Sequence, residues 1–89
     1  MMTKADAREI AEEYLVSLQA EVPVIIAIKD AITEEHEAGF VFFYNAADYW
    51  RSGDAMDALA GNGPILVRRN GDLAILPTNR SVEASLVEV

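Results

Sequence analysis

Eighty-nine residues with a formal charge of −8 and no cysteine make one domain, 1–89, and exclude disulfide staples, thiol nucleophiles and Cys-ligated zinc. The chain is 52% hydrophobic, which suffices for a packed core and argues against disorder. Positions 1–57 hold twelve acids and four bases, whereas positions 58–89 hold three of each, so the front half repels nucleic acid and anionic lipid and would steer toward a basic partner.

No apolar window approaches the roughly 18 residues of a membrane span. The first residues, MMTKADAREIAEEY, lack the apolar core of a signal peptide. A soluble cytoplasmic protein is expected.

Residues 3–20 predict the first helix. Thr3 can N-cap it, with Asp6 three residues on. Ala7, Ile10, Ala11, Tyr14, Leu15 and Leu18 recur at helical spacing and form one apolar stripe. Arg8 and Glu12 are four apart and can pair weakly. The polar face is acidic, unlike that of a membrane-surface helix, so the stripe should lie on a sheet. Pro23 breaks the helix. Residues 24–28, a β-branched run, predict the first strand. Residues 33–38, TEEHEA, read as a polar loop or strand end, and residues 40–44, FVFFY, as the second strand, which pairs with residues 24–28 in a hairpin joined by that acidic stretch.

Residues 45–60 are irregular. Asn45 can end a strand, residues 46–51 can form a helical turn, and Asp54 can cap another. The run GNGPILVRRNGDLAIL, residues 61–76, predicts a second hairpin on the two-residue Asn70-Gly71 turn. That register sets Arg69 opposite Asp72 and Val67 opposite Ala74, with Ile65, Val67, Ala74 and Leu76 on the core face. Ser81 can N-cap a closing helix bearing Val82, Leu86 and Val89 on one side, although residues 85–89 also alternate like a strand. The expected fold is α+β: an N-terminal helix packed on a four-stranded antiparallel sheet made of two sequential hairpins, with a short C-terminal helix.

Catalytic and cofactor motifs are missing. His36 stands among Glu34, Glu35 and Glu37, but neighbouring strand residues point to opposite faces, so a solvated turn is favoured over a metal site. No nucleophile-elbow motif accompanies that histidine. Gly61-Asn62-Gly63-Pro64 lacks the lysine and following helix of a phosphate loop. Arg68 and Arg69 are too few for a nucleic-acid footprint. Most aromatic rings read as core; Trp50, beside Arg51, is the exception, a candidate interface anchor weighed against a core or structural role, which is favoured.

The segment Gly39-Phe40-Val41-Phe42-Phe43, then Asp48-Tyr49-Trp50 and Ser52-Gly53-Asp54, then residues 59–67, LAGNGPILV, resembles the YrhB family, catalogued among bacterial polymorphic-toxin immunity proteins as immunity protein 35. That family's pattern is an aromatic G-W-x-F strand, a T-G-D-type turn and G-N-x-P before a hydrophobic strand. Phe40 replaces the customary Trp, and Ser52 stands where Thr is common. The resemblance implies a non-enzymatic, cofactor-free protein that binds and neutralises a cognate toxin. Charge and irregularity point to Glu34, Glu35, Glu37, Trp50, Asp54 and Asp57 as contact residues. Gly39, Phe40, Phe42, Gly53, Gly61, Asn62, Gly63, Pro64, Asn70 and Gly71 are assigned to shaping strands and turns. A rival reading is a chaperone-like stress protein that binds unfolded chains, which would need an exposed apolar patch. A hydrolase or metal enzyme resting on His36 ranks last. An exposed edge strand could also pair two copies of the chain into a homodimer.

Overall fold

A computed structural model describes residues 2–59 and 61–87. The elements run α1 (Lys4–Gln19), β1 (Ile26–Ile28), a 3₁₀ turn (Asp30–Ile32), β2 (Glu34–His36), β3 (Gly39–Phe42), β4 (Tyr44–Ala46), α2 (Ala47–Ser52), a second 3₁₀ turn (Ala55–Asp57), β5 (Ile65–Arg68), β6 (Leu73–Ile75) and α3 (Val82–Val87). The described strands form an antiparallel four-stranded sheet, β2-β3-β5-β6, and a separate two-stranded ribbon, β1-β4. The α+β architecture, with its leading helix and short closing helix, is the one the residue pattern predicts.

Helix α1 starts where its cap permits. The Thr3 hydroxyl accepts from the Asp6 N–H and the Asp6 carboxylate accepts from the Thr3 N–H, each at 3.1 Å, a reciprocal capping box. Ala7, Ala11 and Leu15 are buried, and Ile10, Tyr14 and Leu18 flank them. The two alanines let the helix backbone approach the sheet closely.

The main sheet is covered on both faces. Phe40, Phe42, Ile65 and Val67 pack under α1, while Val41, Leu66 and Leu76 pack against Val82 and Leu86 of α3. Four successive buried residues in β3 follow directly, because a strand buried on two sides needs no polar alternation.

The first hairpin forms from different strands than the sequence suggests. Residues 34–36, expected as a loop or strand end joining residues 24–28 to 40–44, are a strand of their own, β2, with Glu34 opposite Val41 and His36 opposite Gly39. Residues 26–28 instead pair with residues 44–46. The aromatic run is shared between sheets: it breaks at Phe43, leaving β3 to the main sheet and β4 to the ribbon. Charged β2 fits because it is an edge, where acidic side chains stay solvated.

The second hairpin is shifted by one residue. Val67 faces Leu73, Leu66 faces Ala74 and Ile65 faces Ile75. A two-residue type I′ turn needs positive φ at both centres, but only Gly71 adopts it, at 95°. Asn70 instead uses its side-chain oxygen to accept the Asp72 N–H at 3.0 Å. The Arg68 N–H donates to the Asp72 carbonyl at 2.7 Å and the Gly71 N–H to the Arg68 carbonyl at 2.9 Å. The loop is therefore a three-residue turn with a glycine bulge. Ala74 consequently leaves the α1 face and Leu73 joins it.

Ser81 caps α3, its hydroxyl accepting from the Ala84 N–H at 3.1 Å. The closing segment is thus helical over 82–87. Ala60, within the family-like segment, and Val89, expected on the helix face, lie outside the described residues.

Candidate partner-binding surface

The acidic residues singled out from the sequence fall on two separate elements. The first is β2 and its turn. Glu34 and His36 are two apart on one strand and share a face, with His36 Nε2 2.7 Å from Glu34 Oε1. Glu35 lies on the opposite face and meets Arg69, whose Nη2 is 3.3 Å from Oε2. The same guanidinium donates to the backbone oxygens of His36 at 2.7 Å and Glu37 at 3.1 Å, and lies 5.2 Å over the Phe40 ring. A planar fork makes these contacts together where an ammonium could not. Arg69, expected opposite Asp72, instead clamps the neighbouring hairpin and leaves Glu37 exposed.

The second element is the bridge over residues 50–57, which follows the β1–β4 ribbon and not the main sheet. Trp50 is half-buried. Its indole N–H donates to the Ala27 carbonyl at 2.8 Å, the Lys29 ammonium stands 5.3 Å from its ring, and the Tyr49 ring centroid is also 5.3 Å away. Trp50 therefore staples α2 to β1, and what remains of it opens on a shallow groove of about 520 Å³ lined also by Lys29, Asp30 and Arg51. Arg51 is paired with Asp48.

Beyond α2 the bridge is fixed by short-range bonds. Ser52 Oγ donates to Asp57 at 2.7 Å and accepts from the Asp54 N–H at 3.0 Å, and Asp54 accepts from the Met56 N–H at 2.9 Å. The loop returns to β4 where Asn45 Oδ1 accepts the Leu59 N–H at 2.8 Å. Its tip, Met56, is 90% exposed between two exposed aspartates.

Gly61-Asn62-Gly63-Pro64 knits strands together. Asn62 Nδ2 donates to the Tyr44 carbonyl at 2.7 Å, and the Leu76 N–H to the Pro64 carbonyl at 2.8 Å. A Cβ on Gly63 would overlap the Leu76 carbonyl, as one on Gly39 would overlap that of Val67. Phe40 and Phe42 sit in the core, and Gly53 ends α2 in a left-handed conformation.

Arg8 pairs with Glu12 at 3.5 Å as their spacing predicts, but sequence reasoning missed Asp30, which Arg8 holds through Nε at 2.7 Å and Nη2 at 3.2 Å. The Arg8 guanidinium holds the Asp30 carboxyl below its ordinary range. Gln19 is another: its side-chain amide donates to the Val24 carbonyl at 2.6 Å and accepts the Ile26 N–H at 2.9 Å. Burial raises the Tyr44 phenol. Among the described residues no group of three or more His, Asp or Glu could hold a metal ion, and no helix is long and apolar enough to cross a membrane. The groove beside His36, about 580 Å³ and open, is lined by Glu37, Ala38, Glu83, Leu86 and Val87, which brings no hydroxyl nucleophile to the imidazole.

Fold and surface together define a small α+β domain with acidic residues exposed on an edge strand, its turn and a bridge, beside a sheet covered on both faces. The chain belongs to the Immunity protein 35 family, whose sequence model matches residues 5–86. Comparison with curated proteins and with solved structures gives no match.

Proposed function

We propose that this protein binds a cognate toxin inside the cell that makes it and neutralises that toxin by covering its working surface, without chemistry of its own. The observation that carries the reading is the family match over nearly the whole chain, residues 5–86. The geometry supports contact through two acidic elements. One is the turn bearing Glu35 and Glu37, with Glu34 behind it. The other is the bridge bearing Asp54 and Asp57, with Met56 as an adaptable apolar tip and Trp50 at its base. Arg69 and the Ser52–Asp54–Asp57 bonds hold these elements in shape before binding, which lowers the ordering entropy of association. The rival chaperone-like reading is not favoured by the family match.

The test is co-expression with the product of the adjacent open reading frame. Growth rescue and a complex of roughly nanomolar affinity are expected. A neighbouring product that is toxic yet neither bound nor neutralised would refute the reading.

A further inference from the structure

The β1–β4 ribbon has two long sides, and both carry side-chain amides where a third strand would lie. On β4, Asn62 Nδ2 donates to the Tyr44 carbonyl. On β1, the Gln19 carboxamide binds the Val24 carbonyl and the Ile26 N–H. A residue of a parallel neighbouring strand would make that same pair of bonds. Gln19 thus stands in for one residue of an absent strand.

The next outward-facing backbone groups along β1 carry no bond from a described residue, although the Ile28 side chain itself is buried in the core. Lys29 N–H bonds the Phe43 carbonyl, and Ala47 N–H bonds the Ile25 carbonyl, so residues 25, 27 and 29 face β4. Alternation then turns the backbone groups of Ile26 and Ile28 outward. Beyond Gln19, no described residue bonds the Ile26 carbonyl or the Ile28 N–H. The other sheet edges carry guards against added strands: β2 bears Glu34 and Glu35, and Pro77 stands two residues past the end of β6. Strand β1 carries no charge or proline within Ile26–Ile28, and Lys29 follows it directly.

The surroundings specify the occupant. A groove of about 200 Å³ runs beside this edge, lined by Glu12, Leu15, Val16, Gln19 and Ile26. Val16 is 72% exposed and Ile25 70%, so apolar side chains flank the edge. Around the groove α1 carries Glu9, Glu12 and Glu13, and Asp30 follows β1, against one cation, Arg8, which is tied to Glu12 at 3.5 Å and Asp30 at 2.7 Å, so the local balance stays negative. A second copy of this chain, itself at −8, would be repelled. We infer that the outer edge of β1, with the groove beneath α1, receives an extended, basic and partly apolar segment of the toxin as an added strand. This rests on the immunity reading above.

The test uses the complex with the adjacent reading frame's product and reads backbone amide exchange residue by residue. Strand addition predicts that the Ile28 amide gains at least about tenfold protection in the complex, while Ala27 and Lys29, already facing β4, change little. Val16→Arg should weaken binding at least about tenfold through like-charge repulsion. Thr78→Arg, the same added charge at an exposed position after β6, should leave binding within about twofold. A complex that forms with the Ile28 amide unprotected, or that tolerates Val16→Arg, overturns strand addition and leaves the immunity reading standing. Failure to form any complex overturns both.

Discussion

Arg69 is the side chain on which the acidic edge depends. It joins Glu35, two backbone carbonyls and the face of Phe40, tying β2 to the far hairpin. Arg69→Ala should destabilise the protein by about 1–2 kcal/mol, since charge-assisted bonds to the backbone outweigh an exposed ion pair. Arg69→Lys should recover little of this, because one ammonium cannot fork to both carbonyls. Urea unfolding measures the loss, and faster amide exchange confined to residues 34–38 would locate it. Asp30 and Asp6 set the acid behaviour. Asp30 is depressed mainly by its bond to Arg8, and Asp6 mainly by the Thr3 backbone N–H. A carboxyl whose folded value lies below its unfolded value stabilises the fold above the unfolded value, and that stabilisation is lost as pH falls through the folded one. Unfolding free energy should therefore fall below about pH 4, and Asp30→Asn should flatten part of that decline in a pH series of urea melts. Both groups are exposed, so the effect is small.

Among the elements, α3 shows how a short helix can matter. Six residues do not hold a helix alone, yet α3 covers the sheet face of Val41, Leu66 and Leu76. Leu86→Ala should cost about 2 kcal/mol, at the low end for a core leucine because the site is only partly buried. A thermal melt against Val87→Ala, exposed on the same helix and expected near neutral, separates packing from helix propensity. The helices were legible in the sequence because their signals are local: Thr3 with Asp6, Ser81 as a cap, and one apolar stripe at period 3.6. The sheet pairing was less legible. Glu34-Glu35-His36 has no intrinsic preference for a strand and becomes one because β3 offers an edge and Arg69 holds the turn. The hairpin register turned on whether Asn70 would adopt positive φ or bond the Asp72 N–H, and that choice depends on strand twist. For the candidate surface, charge marked the acidic turn and the bridge. The β1 edge was invisible because Gln19 reaches it across the break at Pro23, and nothing in the spacing announces a side chain imitating a backbone.

At the scale of the whole molecule, the charge of −8 decides how binding would respond to salt. Only seven of the residues are cations. Arg8, Arg51 and Arg69 are engaged with carboxylates of their own chain, so the outward field is negative over the acidic front half. Such a field accelerates encounter with a basic toxin and is screened once the Debye length shrinks below about 10 Å. The association rate should fall at least about tenfold between roughly 0.02 and 0.5 M sodium chloride, with the dissociation rate changing much less. A triple variant, Glu37→Gln with Asp54→Asn and Asp57→Asn, should associate more slowly at low salt and approach the unmodified protein at high salt, because it removes field and leaves the apolar contacts in place. Stopped-flow association across a salt series reads both outcomes. Capture of clients through apolar surface alone would behave oppositely, holding or tightening as sulfate is added. The slope of rate against ionic strength therefore separates an acidic cover for a basic toxin from a general binder of unfolded chains.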